Sequence, residues 1–330
     1  MSLTDAYHRT IRDLRISLTD RCNFRCFYCL PHGEPAWAKR ETLLTFEEIT
    51  RLSAIFVSLG IEKIRLTGGE PLIRRDVPVL VKMLSGLKPG LRDLALTTNG
   101  HDFERFAADL KAAGLDRVTF SLDSLRPERF HEITGSDSLG RVLSSIEAAK
   151  RLGFHPVKIN AVIVRGRNED EVAELAGFAR ENAVSMRFIE YMPLDSGREW
   201  DRSLVVSGRE IRERIESEFP LELKEPSRGS ETAWKFRFAD GSPGEVGIIA
   251  PVTEMFCGQC SRIRLTADGQ LRTCLFSTKE HDLLGPLRSG IGDDEIAELI
   301  KTAALKKEPR HYINDPGFIQ PDRTMSFIGG

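Results

Sequence analysis

All six cysteines of the 330-residue chain fall in two triplets. Cys22, Cys26 and Cys29 stand in DRCNFRCFYC, a C-x3-C-x2-C array, and Cys257, Cys260 and Cys274 form C-x2-C-x13-C within CGQCSRIRLTADGQLRTC. A disulfide inside the first triplet would close only a tiny loop and restrict the unfolded chain very little. The grouping therefore points to reduced thiols and metal chemistry. A tetrahedral zinc asks for four ligands and each triplet is one short, with His32 the near candidate to complete the first and His281 the second. An iron–sulfur cube normally takes four thiolates, yet three suffice when one iron is left for an exogenous ligand. A third reading, a helix face of buried cysteines at i, i+4 and i+7, conflicts with Asn23, Arg25 and the strand expected just before them. Spacing alone leaves zinc and cluster level for the second triplet.

Two further groups of residues bear on chemistry. Arg262 and Arg264 alternate on a probable strand between the second-triplet ligands, so both guanidiniums face one side. Their planar forks suit phosphate, and the alternative is a solvated basic face. In LTGGEP, Gly68 and Gly69 follow a strand where missing side chains let the backbone approach a ligand closely, although a tight turn alone would also use them.

The elements that must position these residues follow from periodicity. From Leu14 to about Met192, short β-rich runs alternate with longer amphipathic stretches, as in βα units around a parallel sheet. Strands are expected in DLRISLT, EKIRLTGG, RDLALTTNG, DRVTFSLD, PVKINAVIV and SMRFIEYMP, and helices in TFEEITRLSAIFVSLG and DFERFAADLKAAG, each ending at glycine. The fold class is thus α/β, an incomplete, TIM-like (β/α)6 barrel whose lateral gap another domain would cover. Polar residues after nearly every strand match the end of such barrels that carries the active site. Beyond a helix near SGREIRERIESEF, the runs AWKFRF, GEVGIIAPV, SRIRLT and QLRTCLF read as antiparallel strands, followed by a helix near DDEIAELIKTAALKK. Two domains are expected, 6–220 and a smaller α+β unit at 221–330, with QPDRTMSFIGG as a flexible tail. The 47 basic and 49 acidic side chains, net −2, give no global field for nucleic acid or a membrane surface. The N-terminal segment lacks the layout of a secretion signal and no apolar run is long enough to span a bilayer, so a cytoplasmic protein is expected.

C-x3-C-x-(aromatic)-C at the end of the first strand of a partial barrel resembles the radical S-adenosylmethionine (SAM) superfamily. The resemblance implies a [4Fe–4S] cluster held by Cys22, Cys26 and Cys29, whose open iron chelates the amino and carboxylate groups of SAM. It also implies that the segment with Gly69, Glu70 and Pro71 receives SAM's amino group, that Tyr28 lies beside the adenine, Ser121 near the ribose or carboxylate, and Met192 near the adenosyl group. Taken singly, each of these three would suit a packing role.

The stretch CGQCSRIRLTADGQLRTCLF, with RLTGGEPLIRRD, TTNG, VKINAVIVRG, RFIEYMP and the terminal GG, is similar to the GTP 3′,8-cyclase family of molybdenum cofactor biosynthesis. Ser261 departs from the asparagine expected there, and Leu30 replaces a familiar methionine. The resemblance implies a second [4Fe–4S] cluster on Cys257, Cys260 and Cys274 that binds guanine. It implies a triphosphate or ribose held by Arg15, Arg65, Thr97, Lys158 and the run Arg262, Ile263, Arg264, with Lys63, Arg74, Arg75 and Arg187 as further candidates. Arg262 and Arg264 are also catalytic candidates, as are Gly329 and Gly330, which would thread toward the site. Cleavage of SAM would give a 5′-deoxyadenosyl radical that removes hydrogen from C3′ of GTP, and the carbon radical would add to C8 of guanine. Implied partners are GTP, an unidentified electron donor and the downstream cyclic pyranopterin monophosphate synthase, in a monomer or homodimer. A radical SAM peptide-maturation enzyme and a zinc-stabilised scaffold are the alternatives; R-x-R between the ligands and the low cysteine count favour a nucleotide.

Overall fold

The computed structural model describes residues 2–30, 37–195 and 197–329, so His32 and Gly330 lie outside the described residues. The six expected N-terminal strands form as β1 (Asp13–Ser17), β2 (Lys63–Thr67), β3 (Asp93–Thr98), β4 (Arg117–Ser121), β5 (Lys158–Ile163) and β6 (Ser185–Glu190). The helices are α1 (Phe46–Ser58), α2 (Val77–Ser85), α3 (Phe103–Ala112), α4 (Pro127–Thr134), α5 (Leu139–Arg151), α6 (Val172–Asn182) and α7 (Gly208–Glu216). Then come β7 (Leu221–Leu223), β8 (Trp234–Phe238), β9 (Glu245–Ile249), β10 (Arg262–Leu265), β11 (Gln270–Arg272), β12 (His281–Asp282), α8 (Leu284–Arg288), α9 (Asp293–Leu305) and α10 (Met325–Ile328).

Local sequence explains the boundaries. Thr45 caps α1 by accepting from the Glu48 amide at 3.1 Å while the Glu48 carboxylate accepts from Thr45 N at 2.7 Å, a reciprocal cap. The helix buries Ile49, Leu52, Ile55 and Phe56, and the chain leaves it through Gly60 at φ 99°, a left-handed position that glycine adopts without a Cβ penalty. Each fully buried side chain of this kind contributes roughly 1.5–3 kcal/mol. Phe103 of α3 meets Phe120 of β4 edge-on at 5.0 Å, fixing helix against sheet.

The C-terminal strands make the expected antiparallel pairings within β7-β8-β9 and β10-β11-β12, and add parallel pairings that were not expected. One sheet runs β12-β11-β10-β1-β2-β3-β4-β5-β6-β9-β8-β7. Strand β10 pairs parallel with β1, and β9 pairs parallel with β6, so both flanks of the six-stranded core are extended before the antiparallel edges begin. Periodicity sets which residues of a strand face inward but not which strand lies beside it, and that is why the parallel pairings were not legible. Residue 220 falls between α7 and β7.

The tail, expected to be flexible, carries α10, and its Ile328 is fully buried. Ser326 and Ile328 are the buried residues of the helix, and Met325 packs against the cluster of Leu194, Phe276 and Ile313.

Glu190, at the end of β6 and fully buried, fastens the connection to the second triplet. Its carboxylate accepts from Gly208 N at the start of α7 at 2.8 Å, from Val252 N at 2.8 Å, from Thr253 N at 2.9 Å, and from the Thr253 hydroxyl. Glu190→Gln keeps one acceptor oxygen but turns an amide donor toward existing donors. It is expected to destabilise the fold by about 2–4 kcal/mol, read as a lower urea midpoint at constant m; an unchanged midpoint would refute the role.

Candidate active site

The first triplet sits on the loop after β1, held from two sides. Arg25 N donates to Thr134 O at 2.7 Å and Phe27 N to Ile133 O at 3.1 Å, attaching the loop to the end of α4. On the other side Gly69 N donates to Thr19 O at 2.7 Å and Glu70 N to Arg21 O at 2.8 Å. A Cβ on Gly68 would lie 2.6 Å from Thr19 O, and one on Gly69 would strike the Arg21 carbonyl. The two glycines therefore let one backbone loop run against another, and both also line the cavity, where a close approach to a ligand is expected of them. Glu70 turns inward, accepting from Leu72 N at 3.0 Å, the Thr98 hydroxyl at 2.8 Å and Asn99 N at 2.7 Å, and burial pushes its carboxyl up to about 7.

All six cysteines are free, partly exposed thiols on the wall of one cavity of about 310 Å³. Burial pushes Cys22 up to about 11 and Cys29 up to about 12, and raises Cys26 as well, with Asp123 adding to the effect on Cys26. At the second triplet burial also opposes ionisation, but Arg262 and Lys307 outweigh it at Cys260 and bring that thiol down to about 6. Among the described residues no three His, Cys, Asp or Glu side chains converge on a point as the ligands of a single ion would. A zinc ion needs its sulfur donors about 2.3 Å from one centre; a polynuclear cluster spreads them over its irons. The donor set, three soft thiols per site facing one cavity, fits a cube at each end.

Between the triplets the wall is cationic. Arg15, Arg65, Arg187, Arg262 and Arg264 all line the cavity. Arg65 donates to the Thr97 hydroxyl at 3.1 Å and the Thr119 hydroxyl at 2.9 Å, and Arg262 lies over the Phe256 ring at 5.2 Å. Burial first, then neighbouring guanidiniums, lower Arg65 to about 10 and Arg264 to about 9, and drive Arg15 well below its ordinary value. The Nε atoms of Arg187 and Arg262 are buried without a hydrogen-bond partner among the described residues. Several converging cations with spare donors form a site for a polyanion.

The other candidates distribute as follows. Tyr28, Gly69, Ser121, Met192 and Thr97 line the cavity; Tyr28 donates to Asp123 at 2.6 Å, and Asp123 is raised to about 6 by burial. Lys158 lies outside the wall, two residues before the lining Asn160 on the same strand face. Ile263 points the other way, 1% exposed in the apolar core, because successive side chains of β10 alternate; any ligand contact there would fall to its backbone. Arg74 is a structural clamp, donating to the carbonyls of Leu18 at 2.9 Å and Leu44 at 2.5 Å over the Phe46 ring. Arg75 pairs with Asp76 on the surface, and Lys63 is exposed outside the wall. Ser261 bonds Asp13, joining β10 to the start of β1. Gly329 O accepts from Arg264, while Met325 and Ser326 of α10 line the cavity, so the tail spans both halves of the site.

Asn160, Thr119, Phe256, Lys307 and His311 also line the cavity and are not singled out by the sequence, whereas Asp123, at the polar end of the fourth strand, lies where the active site is expected. Thr119 could have been found, since it precedes Ser121 at period two in VTFSLD. Lys307 and His311 follow α9 in no recognisable motif.

With this geometry in place, residues 16–179 match the Radical SAM superfamily and residues 184–313 match Molybdenum Cofactor Synthesis C. Among solved structures, Streptococcus suis SuiB bound to S-adenosylmethionine aligns with a TM-score of 0.65 at 15% identity, covering 95% of this chain and 76% of that one. Native anSMEcpe with bound AdoMet aligns with a TM-score of 0.59 at 13% identity, covering 91% and 82%. At those identities the likeness concerns the fold, and fold and superfamily match together define a radical SAM protein. Curated GTP 3′,8-cyclases are much nearer: that of Streptomyces coelicolor is 47% identical, covering 99% of this chain and 96% of the relative. The Corynebacterium glutamicum enzyme is 46% identical over 99% and 89%, and that of Syntrophomonas wolfei 42% over 99% and 100%. The chain belongs to the GTP 3′,8-cyclase family.

Gly69→Ala tests the loop-on-loop contact. The added Cβ must push residues 20–22 away from β2, so reconstituted protein is expected to lose most of the iron bound at the first triplet while retaining that at the second. Iron quantitation and Mössbauer spectra of the variant would check this; full loading of both sites would contradict it.

Proposed function

We infer that this chain is a radical SAM lyase that cyclises GTP to 3′,8-cyclo-7,8-dihydro-GTP, the first step of molybdenum cofactor biosynthesis. The observation that carries this reading is near-full-length identity of 42–50% to curated GTP 3′,8-cyclases; the convergence of two thiol triplets and a set of arginines on one cavity supports it. The cofactors are SAM and iron–sulfur clusters, for which Cys22, Cys26 and Cys29 would hold one cube and Cys257, Cys260 and Cys274 the other. When bound, these groups supply the electron that cleaves SAM and an open iron for the purine.

The remaining tasks fall to the chain. Arg15, Arg65, Arg187, Arg262 and Arg264 would neutralise the triphosphate, which no single cation can do. Thr97 and Thr119 hold Arg65 in place through its Nη1. Tyr28, braced on Asp123, and Met192 would shape the adenosyl end. Gripping the nucleotide at both base and phosphates fixes C3′ and C8 in reactive geometry, the larger part of catalysis when the attacking radical is indiscriminate. The low-identity likeness to SuiB concerns the fold and gives the peptide-maturation alternative no support. No described helix is long and apolar enough to cross a membrane. A cytoplasmic setting, an external electron donor and hand-over to cyclic pyranopterin monophosphate synthase are parts of the proposal.

Anaerobic incubation of reconstituted protein with SAM, GTP and dithionite, followed by mass analysis, is expected to yield 5′-deoxyadenosine and the cyclised nucleotide together. 5′-Deoxyadenosine without a cyclised product would leave a radical SAM enzyme with another substrate.

Lys158 gives a pH test. Burial, then repulsion from Arg187, Arg117 and Arg65, lowers its ammonium to about 6. A bound triphosphate raises that value, so binding takes up a proton above about pH 6. The favourable term is fully present below that pH and fades as pH rises toward the bound-state value. Calorimetry of GTP binding at about pH 7.5 in buffers of different ionisation enthalpy should show more proton uptake than Lys158→Met does; equal uptake would place the triphosphate out of reach of Lys158.

A further inference from the structure

Lys307 follows α9 and is only 4% exposed. Among the described residues its ammonium has two hydrogen-bond partners, both carbonyls: Arg262 O at 2.9 Å and Thr273 O. It takes part in none of the ion pairs of the described residues, and the neighbouring Glu308 carboxylate is engaged by the Thr273 hydroxyl at 2.8 Å. The two carbonyls belong to the second residue after Cys260 and the residue before Cys274, so one side chain ties together both strands that deliver second-triplet ligands. Lys307 also lines the same cavity as Cys257, Cys260 and Cys274.

Burying an ammonium without a counter-charge is costly, and carbonyl dipoles solvate it without neutralising it. Three thiolates leave a four-iron cube with net negative charge, which grows on reduction, and nearby charge is one of the factors that set the potential of such clusters.

We propose that Lys307 is the built-in counter-ion of the second iron–sulfur cluster, holding its reduction potential up while fixing the Cys260 and Cys274 segments. This rests on the reading that Cys257, Cys260 and Cys274 carry a cluster. The positive charge stabilises the reduced, more negative state more than the oxidised one, so its removal makes the cluster harder to reduce. One electron enters from an external reductant and no bond to Lys307 forms or breaks.

The test uses the full chain with Cys22, Cys26 and Cys29 replaced by serine, so that any cluster signal arises at the second site. If this protein binds no iron, the cluster reading itself fails, separately from the role of Lys307. In the loaded protein, Lys307→Gln retains donors for the carbonyls without the charge, and Lys307→Arg retains both. An EPR-monitored titration with mediators and dithionite is expected to give a more negative midpoint for Lys307→Gln and a near-parental one for Lys307→Arg. Equal midpoints in all three proteins, or equal shifts in both variants, would overturn the proposal. A second readout covers poor loading: the rise in melting temperature on cluster reconstitution should be smaller for Lys307→Gln than for the parent and restored in Lys307→Arg. The same rise in all three, or loss of loading in both variants, would reduce Lys307 to a structural tie and overturn its role as counter-ion.

Discussion

The site depends on one strand pairing, the parallel, in-register addition of β10 to β1. Leu14 lies opposite Ile263 and Ile16 opposite Leu265, burying an apolar face, and the same register sets Arg15 opposite Arg264. On the other side of β1, Arg15 lies opposite Arg65 of β2. Three guanidiniums thus stand in a row across adjacent strands, an arrangement that is destabilising in itself. Cross-strand repulsion is tolerated because the apolar face of the same strands fixes the register: a slip of one residue would bring the cationic set into the core. The repulsion is stored in the free site and is relieved by whatever polyanion enters.

That pairing also joins parts of the chain far apart in sequence. Arg9 strengthens the join: it pairs with Asp5 at 2.5 Å, and donates to Cys257 O at 2.8 Å, Pro309 O at 2.9 Å and Glu308 O at 2.6 Å. The N-terminal segment is therefore part of the scaffold of the second triplet, and neither half of the site is complete without the other. Strand β1 would otherwise present an unpaired edge, so the pairing that covers that edge is also the one that assembles the site. On the opposite flank Glu190 does the equivalent for the segment entering Cys257.

The six strands of the core were legible because each combines a β-rich run with a turn signal, as KIRLT followed by Gly68 and Gly69 shows. Helices α1 and α3 were legible through their 3.6-residue period and their glycine stops. The two triplets were legible because cysteine spacing survives any ambiguity of topology. Harder to see was the side on which later strands dock: GEVGII and RIRL look alike as half-buried strands whether their neighbour is a hairpin partner or a parallel strand far back in the chain, β6 for the first and β1 for the second. Arg74 and Arg65 show the same limit for side chains. Both belong to RLTGGEPLIRRD, yet Arg74, just after the turn Pro71–Ile73, clamps loop carbonyls while Arg65, on β2, enters the cavity, a difference fixed by place in the fold and not by residue type. Ile263 stands between two arginines in the motif, but alternation along the strand separates its side chain from theirs.

Electrostatics gives the cavity two unlike ends. Around the first triplet the buried neighbours are acidic: Asp123 and Glu70 act on Cys26 and Cys22 respectively, and burial leaves all three thiols reluctant to ionise. Around the second triplet they are basic, and Arg262 with Lys307 favours the Cys260 thiolate. A sulfonium cofactor is a cation and a nucleoside triphosphate is a polyanion, so each end is suited to one and opposed to the other. The sorting does not need two pockets, because inside a low-dielectric enclosure opposite fields a short distance apart orient two ligands by charge before shape selects among them. Exchange of the two ligands would place the sulfonium among guanidiniums and the triphosphate beside carboxylates. On the proposed function, this polarity of the wall would set which triplet faces which ligand, and with it the direction from radical source to substrate.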